Sequence, residues 1–379
     1  MGKNILLAAM SLDLGGAETH VVGLARELHR RGYRVVVTSR GGRLLPELER
    51  CGIPHLFLPL HSRAPWRLIQ AVRGMRGILK GCGIELIHAH ARIPAWVGDR
   101  ARRHLGLPMV TTYHGVYNAT LPMRLVTRWG DRVIAVSDDV KDHLQRRFGA
   151  PPGLIRVIPN GIDLGRFHRG VPTASLAAEL GLGPSNPKVV HVSRLSGSFA
   201  DTALCLIKAA PRLAALVPGL ELVLVGDGNR FEEVREAASE VNRRLGRRAI
   251  LVAGGQEEVA PYLAMADVVV GVARVAMEAM ACEKPVVIAG EGGLRGLLTP
   301  DNLEDVRTAN FTARGSGAPL TAEGLARAVM EVLSNQSLAA AAASFGLQVV
   351  EESYSMPRMV DRLEEVYREV LEEGNVPWH

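Results

Sequence analysis

Residues 275–290, VAMEAMACEKPVVIAG, set one acidic residue, Glu278, among small and apolar neighbours and then pass through Lys284-Pro285 into an apolar run. Just ahead, 268–271 is a second continuous apolar run. Both runs read as buried strands, and proline, which has no amide proton to donate, ends the small-residue helix between them. Strand, short helix opened by Glu278, and strand make one step of a parallel α/β layer. A carboxylate there lies outside the carboxyl end of a strand, where open α/β sheets bind ligands, and it can accept two hydrogen bonds from a ribose diol. The alternative is that Glu278 complements the positive end of its own helix, worth about 0.3–1 kcal/mol.

The same step repeats outward. Strand patterns occur at 188–195, 220–228 and 249–255 in the later half, and at 4–9, 34–39, 55–60, 84–90, 108–115 and 132–137 in the earlier half. Helical periodicity fills the gaps, at 19–32, from Leu44, at 65–81, 94–106 and 138–149, and in segments ending near Leu216 and Gly246. Ser137 and Asp138 are expected to cap the helix they open. Residues 164–187 are loop-rich, with Pro172, Pro184 and Pro187, so a linker is expected over 166–187. This predicts an α/β chain with two doubly wound parallel sheets, a first domain over 1–165 and a second over 188–356.

A length of 379 residues suits two domains, and 47% hydrophobic content is ample for their cores. Cys51, Cys82, Cys205 and Cys282 are scattered without metal or disulfide spacing, which predicts reduced thiols in a cytoplasmic setting. No apolar run reaches the length of a membrane span, and the start, MGKNILLAAM, reads as a strand rather than a signal peptide. Charge divides unevenly: residues 1–170 hold 26 lysines and arginines against 12 acids, the remainder 19 against 27. A basic first half suggests an anionic partner, either a phosphorylated acceptor or an anionic membrane surface. The helix over 65–81 sets Trp66, Leu68, Ile69, Val72, Met75, Ile78 and Leu79 against Arg67, Arg73, Arg76 and Lys80. That stripe is either core, the reading favoured, or an interfacial membrane contact. No aromatic-interleaved basic platform is present, so nucleic acid is not an expected partner.

After the first strand, SLDLGGAE lacks the dinucleotide fingerprint, but Gly15 and Gly16 let a ligand approach the amides of the following helix. The fourth strand ends in His88 and His90, and the fifth leads to His114 in a Tyr-His-Gly turn. An H-x-H strand end also opens metal-dependent amidohydrolases, but the later strand ends offer too few His and Asp ligands for that site. Arg194 follows the first strand of the second half, a position suited to a permanently charged fork that grips phosphate.

Together the Gly-Gly loop, I-H-A-H, Tyr-His-Gly, P-N-G-I-D at 159–163, S-R-L at 193–195 and E-A-M-A-C at 278–282 resemble the family-four retaining glycosyltransferases, over about residues 3–370. The resemblance implies the GT-B architecture, two Rossmann-like domains facing a cleft, with a last helix over 357–379 crossing back to the first domain. It implies a hexosyltransferase-type enzyme moving a sugar from a UDP- or GDP-linked donor to a glycan or lipid-linked acceptor in cell-envelope or polysaccharide synthesis. No further cofactor and no metal are implied, and a cytoplasmic location, peripheral at the inner face of the membrane, is expected. His114 and Arg194 are the implied catalytic-side residues. Gly15, Gly16, Arg194, Gly254, Glu278 and Ala279 are the implied donor contacts, and His88, His90 and Tyr117 the acceptor side. Two positions depart from the family: Phe199 stands where it has a phosphate-binding lysine, and Val270 where it has a glutamate. They motivate an alternative, a non-catalytic nucleotide-sugar-binding protein acting as scaffold or regulator.

Overall fold

The computed structural model describes residues 2–315 and 317–373; residues 374–379 of the expected C-terminal segment lie outside the described residues. The chain divides into two compact units, Met1–Gly161 with Met356–His379, and Ile162–Ser355.

The first unit is built on seven strands: β1 (Asn4–Ala9), β2 (Arg34–Ser39), β3 (His55–Phe57), β4 (Leu86–His90), β5 (Met109–Tyr113), β6 (Arg132–Ala135) and β7 (Ile155–Val157). Their order is β3-β2-β1-β4-β5-β6-β7, with every pairing parallel. The apolar runs in β1 and β4 are needed because helices cover both faces of a parallel sheet. Ile5, Leu7, Leu86 and Val110 pack on one face with helices Gly16–Arg30 and Met356–Glu373. Leu6, Ala8, Ile87 and Met109 pack on the other with Pro65–Gly81 and Arg92–Arg102.

Helix Met356–Glu373 turns Met359, Val360, Leu363, Val366, Tyr367 and Val370 inward. Arg31 fastens its first turns, with Nη1 donating to Asp361 at 2.8 Å and Glu364 at 2.9 Å, and Nη2 to the Pro357 carbonyl at 2.9 Å. In helix Pro65–Gly81, Ala71, Met75 and Leu79 enter the core. Trp66 (70% exposed) and Ile69 (54%) do not. The expected apolar stripe is therefore split, buried in the later turns and solvent-facing in the first two.

The second unit holds β8 (Lys188–Val192), β9 (Glu221–Val225), β10 (Ile250–Gly254), β11 (Val268–Gly271), β12 (Val286–Gly290) and β13 (Gly293–Leu297). Their order is β10-β9-β8-β11-β12-β13. All pairings are parallel except β12 with β13, which adds one antiparallel edge strand to the doubly wound parallel sheet. Residues 291–292 turn the chain back, and Gly292 (φ 100°) and Gly293 (φ 120°) take backbone angles that a side chain would oppose. Residues 166–187, read as a linker, are packed into this unit instead: Phe167 and Leu182 lie in its core, and Ala174–Glu179 is helical. The short proline-rich pattern hid those two anchors. Ser137 occupies its N-cap position, but its hydroxyl donates to the Asp139 carboxylate at 2.5 Å instead of capping an amide.

All four cysteines are free thiols, Cys205 and Cys282 buried and the other two half-buried. Among the described residues no helix is long and apolar enough to cross a membrane.

Candidate functional site

Each sheet has one place where its strand order reverses, between β1 and β4 in the first unit and between β8 and β11 in the second. Chains leaving neighbouring strands there turn to opposite faces and leave a crevice at the carboxyl ends, the usual ligand position in such folds.

In the first unit this crevice is lined by histidines. His90 is the last residue of β4, His114 follows β5, and His20 comes from helix Gly16–Arg30 after β1. His90 Nδ1 lies 3.3 Å from His114 Nε2, and the His20 ring packs edge-on to that of His114, with centroids 4.9 Å apart. Burial, reinforced by neighbouring His88, His20 and His114, holds His90 well below the usual histidine range, so it is a neutral donor and acceptor at physiological pH. Ligand nitrogens of His20, His90 and His114 lie within 4.8 Å of one another, the one group among the described residues that could take a metal; imidazole suits zinc, copper, iron and nickel.

His88, expected on the acceptor side, is corrected to a structural role. It is fully buried, and both ring nitrogens are engaged, Nδ1 with the Tyr367 hydroxyl at 2.6 Å and Nε2 with the Thr112 hydroxyl at 2.7 Å. Burial takes its pKa to about 3. Tyr367→Phe strands a buried ring nitrogen and is expected to cost about 1–3 kcal/mol in chemical denaturation.

Gly15 is the N-cap of helix Gly16–Arg30, in extended backbone, and its carbonyl accepts from Thr19 N and Oγ1, both at 2.9 Å. Tyr117 is partly exposed, its ring under the Arg92 guanidinium at 4.7 Å. Arg92 also stands 4.8 Å from the Phe148 ring.

In the second unit Arg194 stands two residues beyond β8, exposed, with its guanidinium 5.4 Å from the Phe199 ring centroid. Phe199 therefore meets Arg194 by a cation–π contact and brings no charge of its own. Val270 is fully buried inside β11. Gly254 ends β10 in the left-handed region (φ 73°), and its carbonyl accepts from Gly226 N at 2.8 Å.

The helix carrying Glu278 spans Ala273–Ala281, so Glu278 lies one turn and a half inside it rather than opening it. The dipole alternative falls with that placement, since the helix-end field fades within the first turn. Glu278 is 4% exposed, and Oε1 accepts from Arg274 Nε at 2.7 Å. Burial raises its pKa, opposed by the charge and hydrogen bond of Arg274 and by the charge of Arg166. Burial, with Glu278 beside it, pushes the Cys282 thiol up to about 12, which makes it unreactive. Ala279 is corrected from a donor contact to a packing residue: it is fully buried in the core of this unit.

Residues 14–166 match the family described as Glycosyltransferase Family 4, and residues 186–335 the one described as Glycosyl transferases group 1. The D-inositol 3-phosphate glycosyltransferase of Actinosynnema mirum is 30% identical, over 74% of this chain and 77% of that protein. The chain belongs to glycosyltransferase family 4. The enzyme of the same description from Saccharomonospora viridis is 29% identical across 95% of this chain and 90% of that protein. Among solved structures, a glycosyltransferase from Rickettsia africae superposes with a TM-score of 0.80 at 21% identity, covering 98% of this chain and 99% of that one. Anabaena Alr3699/HepE in complex with UDP-glucose gives 0.75 at 23%, covering 97% and 99%. These likenesses are of fold, and the fold is GT-B.

Two residues of this glycosyltransferase's crevices escaped the sequence reading. His20 was legible only as one apolar-face position of its helix. Arg274 had a signal, because it precedes Glu278 by four residues, the spacing at which opposite charges pair on a helix.

Proposed function

We propose that this family 4 glycosyltransferase is a retaining enzyme that transfers a sugar from a UDP- or GDP-linked donor to a glycan or lipid-linked acceptor in cell-envelope or polysaccharide synthesis. The observation that carries the reading is the placement of Arg194 and Glu278 after the carboxyl ends of neighbouring strands β8 and β11, where the strand order reverses. The UDP and UDP-glucose held by Anabaena Alr3699/HepE support a donor of that class. In this reading Glu278 orients the ribose, Arg194 neutralises the diphosphate, and Gly15 and Gly16 add backbone amides. Gly254 gives the nucleotide a side-chain-free approach. His114 positions the transferred sugar, while His90 and Tyr117 lie on the acceptor side.

No carboxylate is assigned as a nucleophile. The bond from the anomeric carbon to the diphosphate oxygen breaks as the acceptor oxygen bonds on the same face, and the acceptor's proton passes to the departing diphosphate. The His114 imidazole has two ring nitrogens with which to meet a hydroxyl partner. Hydrolysis of a panel of UDP- and GDP-sugars tests the reading. Slow release of free sugar from at least one is expected; nucleotide binding with no release from any would favour the non-catalytic alternative.

The acceptor reading extends to a membrane surface. Trp66 and Ile69 sit three residues apart on one helix face, exposed, beside exposed Arg63, Arg67 and Arg73. Apolar anchors ringed by cations fit the headgroup region of an anionic bilayer. Vesicle sedimentation is expected to show binding to acidic but not neutral vesicles, lost at high salt and weakened several-fold in a Trp66→Ala, Ile69→Ala double variant. Equal recovery with both vesicle types would leave this face merely solvated.

A further inference from the structure

Arg194 has a counterpart on the neighbouring strand. β8 and β11 are parallel neighbours in register, Val189 opposite Val268 and His191 opposite Val270. Beyond the paired residues, Arg194 follows the end of β8 by two residues and Arg274 follows the end of β11 by three, so both leave the carboxyl ends of adjacent strands. Neighbouring strands lie about 4.8 Å apart, well within the reach of two arginine side chains, and the reversal of strand order puts the ligand crevice between these two strands. A nucleoside diphosphate brings more than one negative charge there. Arg194 alone neutralises one, and the ring against it, Phe199, neutralises none.

We propose that Arg274 is a second diphosphate-binding guanidinium, facing Arg194 across the crevice, and that its bond to Glu278 couples phosphate recognition to ribose recognition. The proposal rests on the nucleotide-sugar reading of this crevice and adds a residue to it. Arg274 and Glu278 are both nearly buried, with side-chain exposures of 11% and 6%, and are joined at 2.7 Å. A charge-assisted bond of that kind orients both partners. The carboxylate accepts from ribose hydroxyls while the guanidinium, held by the same carboxylate, is aimed toward the phosphates.

The experiment titrates UDP, GDP, uridine and guanosine calorimetrically into wild type, Arg274→Gln, Arg274→Lys and Arg194→Ala. Glutamine keeps a donor for Glu278 and removes the charge; lysine keeps the charge. Arg274→Gln is expected to weaken the preferred diphosphate at least 10-fold, to leave the matching nucleoside within about twofold, and to flatten the salt dependence of diphosphate binding. Arg274→Lys is expected to recover most of the loss. Unchanged diphosphate affinity in Arg274→Gln, with Arg194→Ala impaired, would overturn the proposal while leaving the nucleotide reading intact. An equal loss for nucleoside and diphosphate would overturn it too, by making Arg274 only a positioner of Glu278. Failure of wild type to bind any of the four would overturn the nucleotide reading and this proposal with it.

Discussion

Arg194→Ala is expected to lower kcat for donor hydrolysis about 100- to 1000-fold, the range for removing one preorganised group that meets charge developing in a transition state. The charge in question appears on the departing diphosphate, and Arg194 stands two residues beyond β8, exposed, with its guanidinium over the Phe199 ring. A planar guanidinium matches two phosphate oxygens at once, so Arg194→Lys should recover only part of the loss. Phe199→Lys is expected to bring no gain. It removes the ring beneath Arg194 and sets an ammonium near a guanidinium, and Arg274 in our account already supplies the second charge. Steady-state hydrolysis of the best donor checks all three. Equal kcat in wild type and Arg194→Ala would take Arg194 out of the chemistry, and a clear rise in Phe199→Lys would show that the crevice lacks a cation.

Acid is expected to destabilise both units well above the carboxylate range. His88 in the first unit and His191 in the second are buried and titrate near 3 and 4, because burial disfavours the imidazolium. An unfolded chain protonates the same histidines near 6.5, so below that pH it binds more protons than the native state and stability falls as pH falls. The loss begins near pH 6.5, continues toward the folded values, and amounts to about 2 kcal/mol per histidine between pH 7 and pH 5. His191 is fixed between strands, Nδ1 donating to the Val270 carbonyl at 2.8 Å and Nε2 2.9 Å from the Ser193 hydroxyl. His191→Gln can keep a donor and an acceptor without charging. Denaturation of that variant at pH 7 and pH 5 is expected to show a shallower pH dependence for the second unit; an unchanged slope would assign the acid loss to other groups.

The fold was readable because two-sided burial writes continuous apolar runs into parallel strands, and those runs sit where the strands are, with ends up to three residues shorter. β13 escaped because GGLRGLL carries a polar residue and glycines, and its strand character comes from pairing with β12. The linker was misplaced for a related reason: Phe167 and Leu182 are single anchors without periodicity, and only tertiary contacts disclose them. In the crevices, position along the chain singled out Arg194, His90 and His114 as candidates. It did not separate His88 from His90, because the two stand at i and i+2 and share one face of β4, and the partner that occupies His88, Tyr367, lies 279 residues away. Nor could a motif reveal that Glu278 lies beneath Arg274, a pairing that changes what the carboxylate can do.

The most direct measurement is calorimetric titration of UDP and GDP into wild type and Glu278→Ala. We expect one of the two nucleotides to bind wild type with unit stoichiometry and to bind Glu278→Ala about 10- to 150-fold more weakly, the equivalent of losing a charged hydrogen-bond acceptor, about 1.5–3 kcal/mol. Equal affinity in the two proteins would contradict the assignment of Glu278 to the ribose.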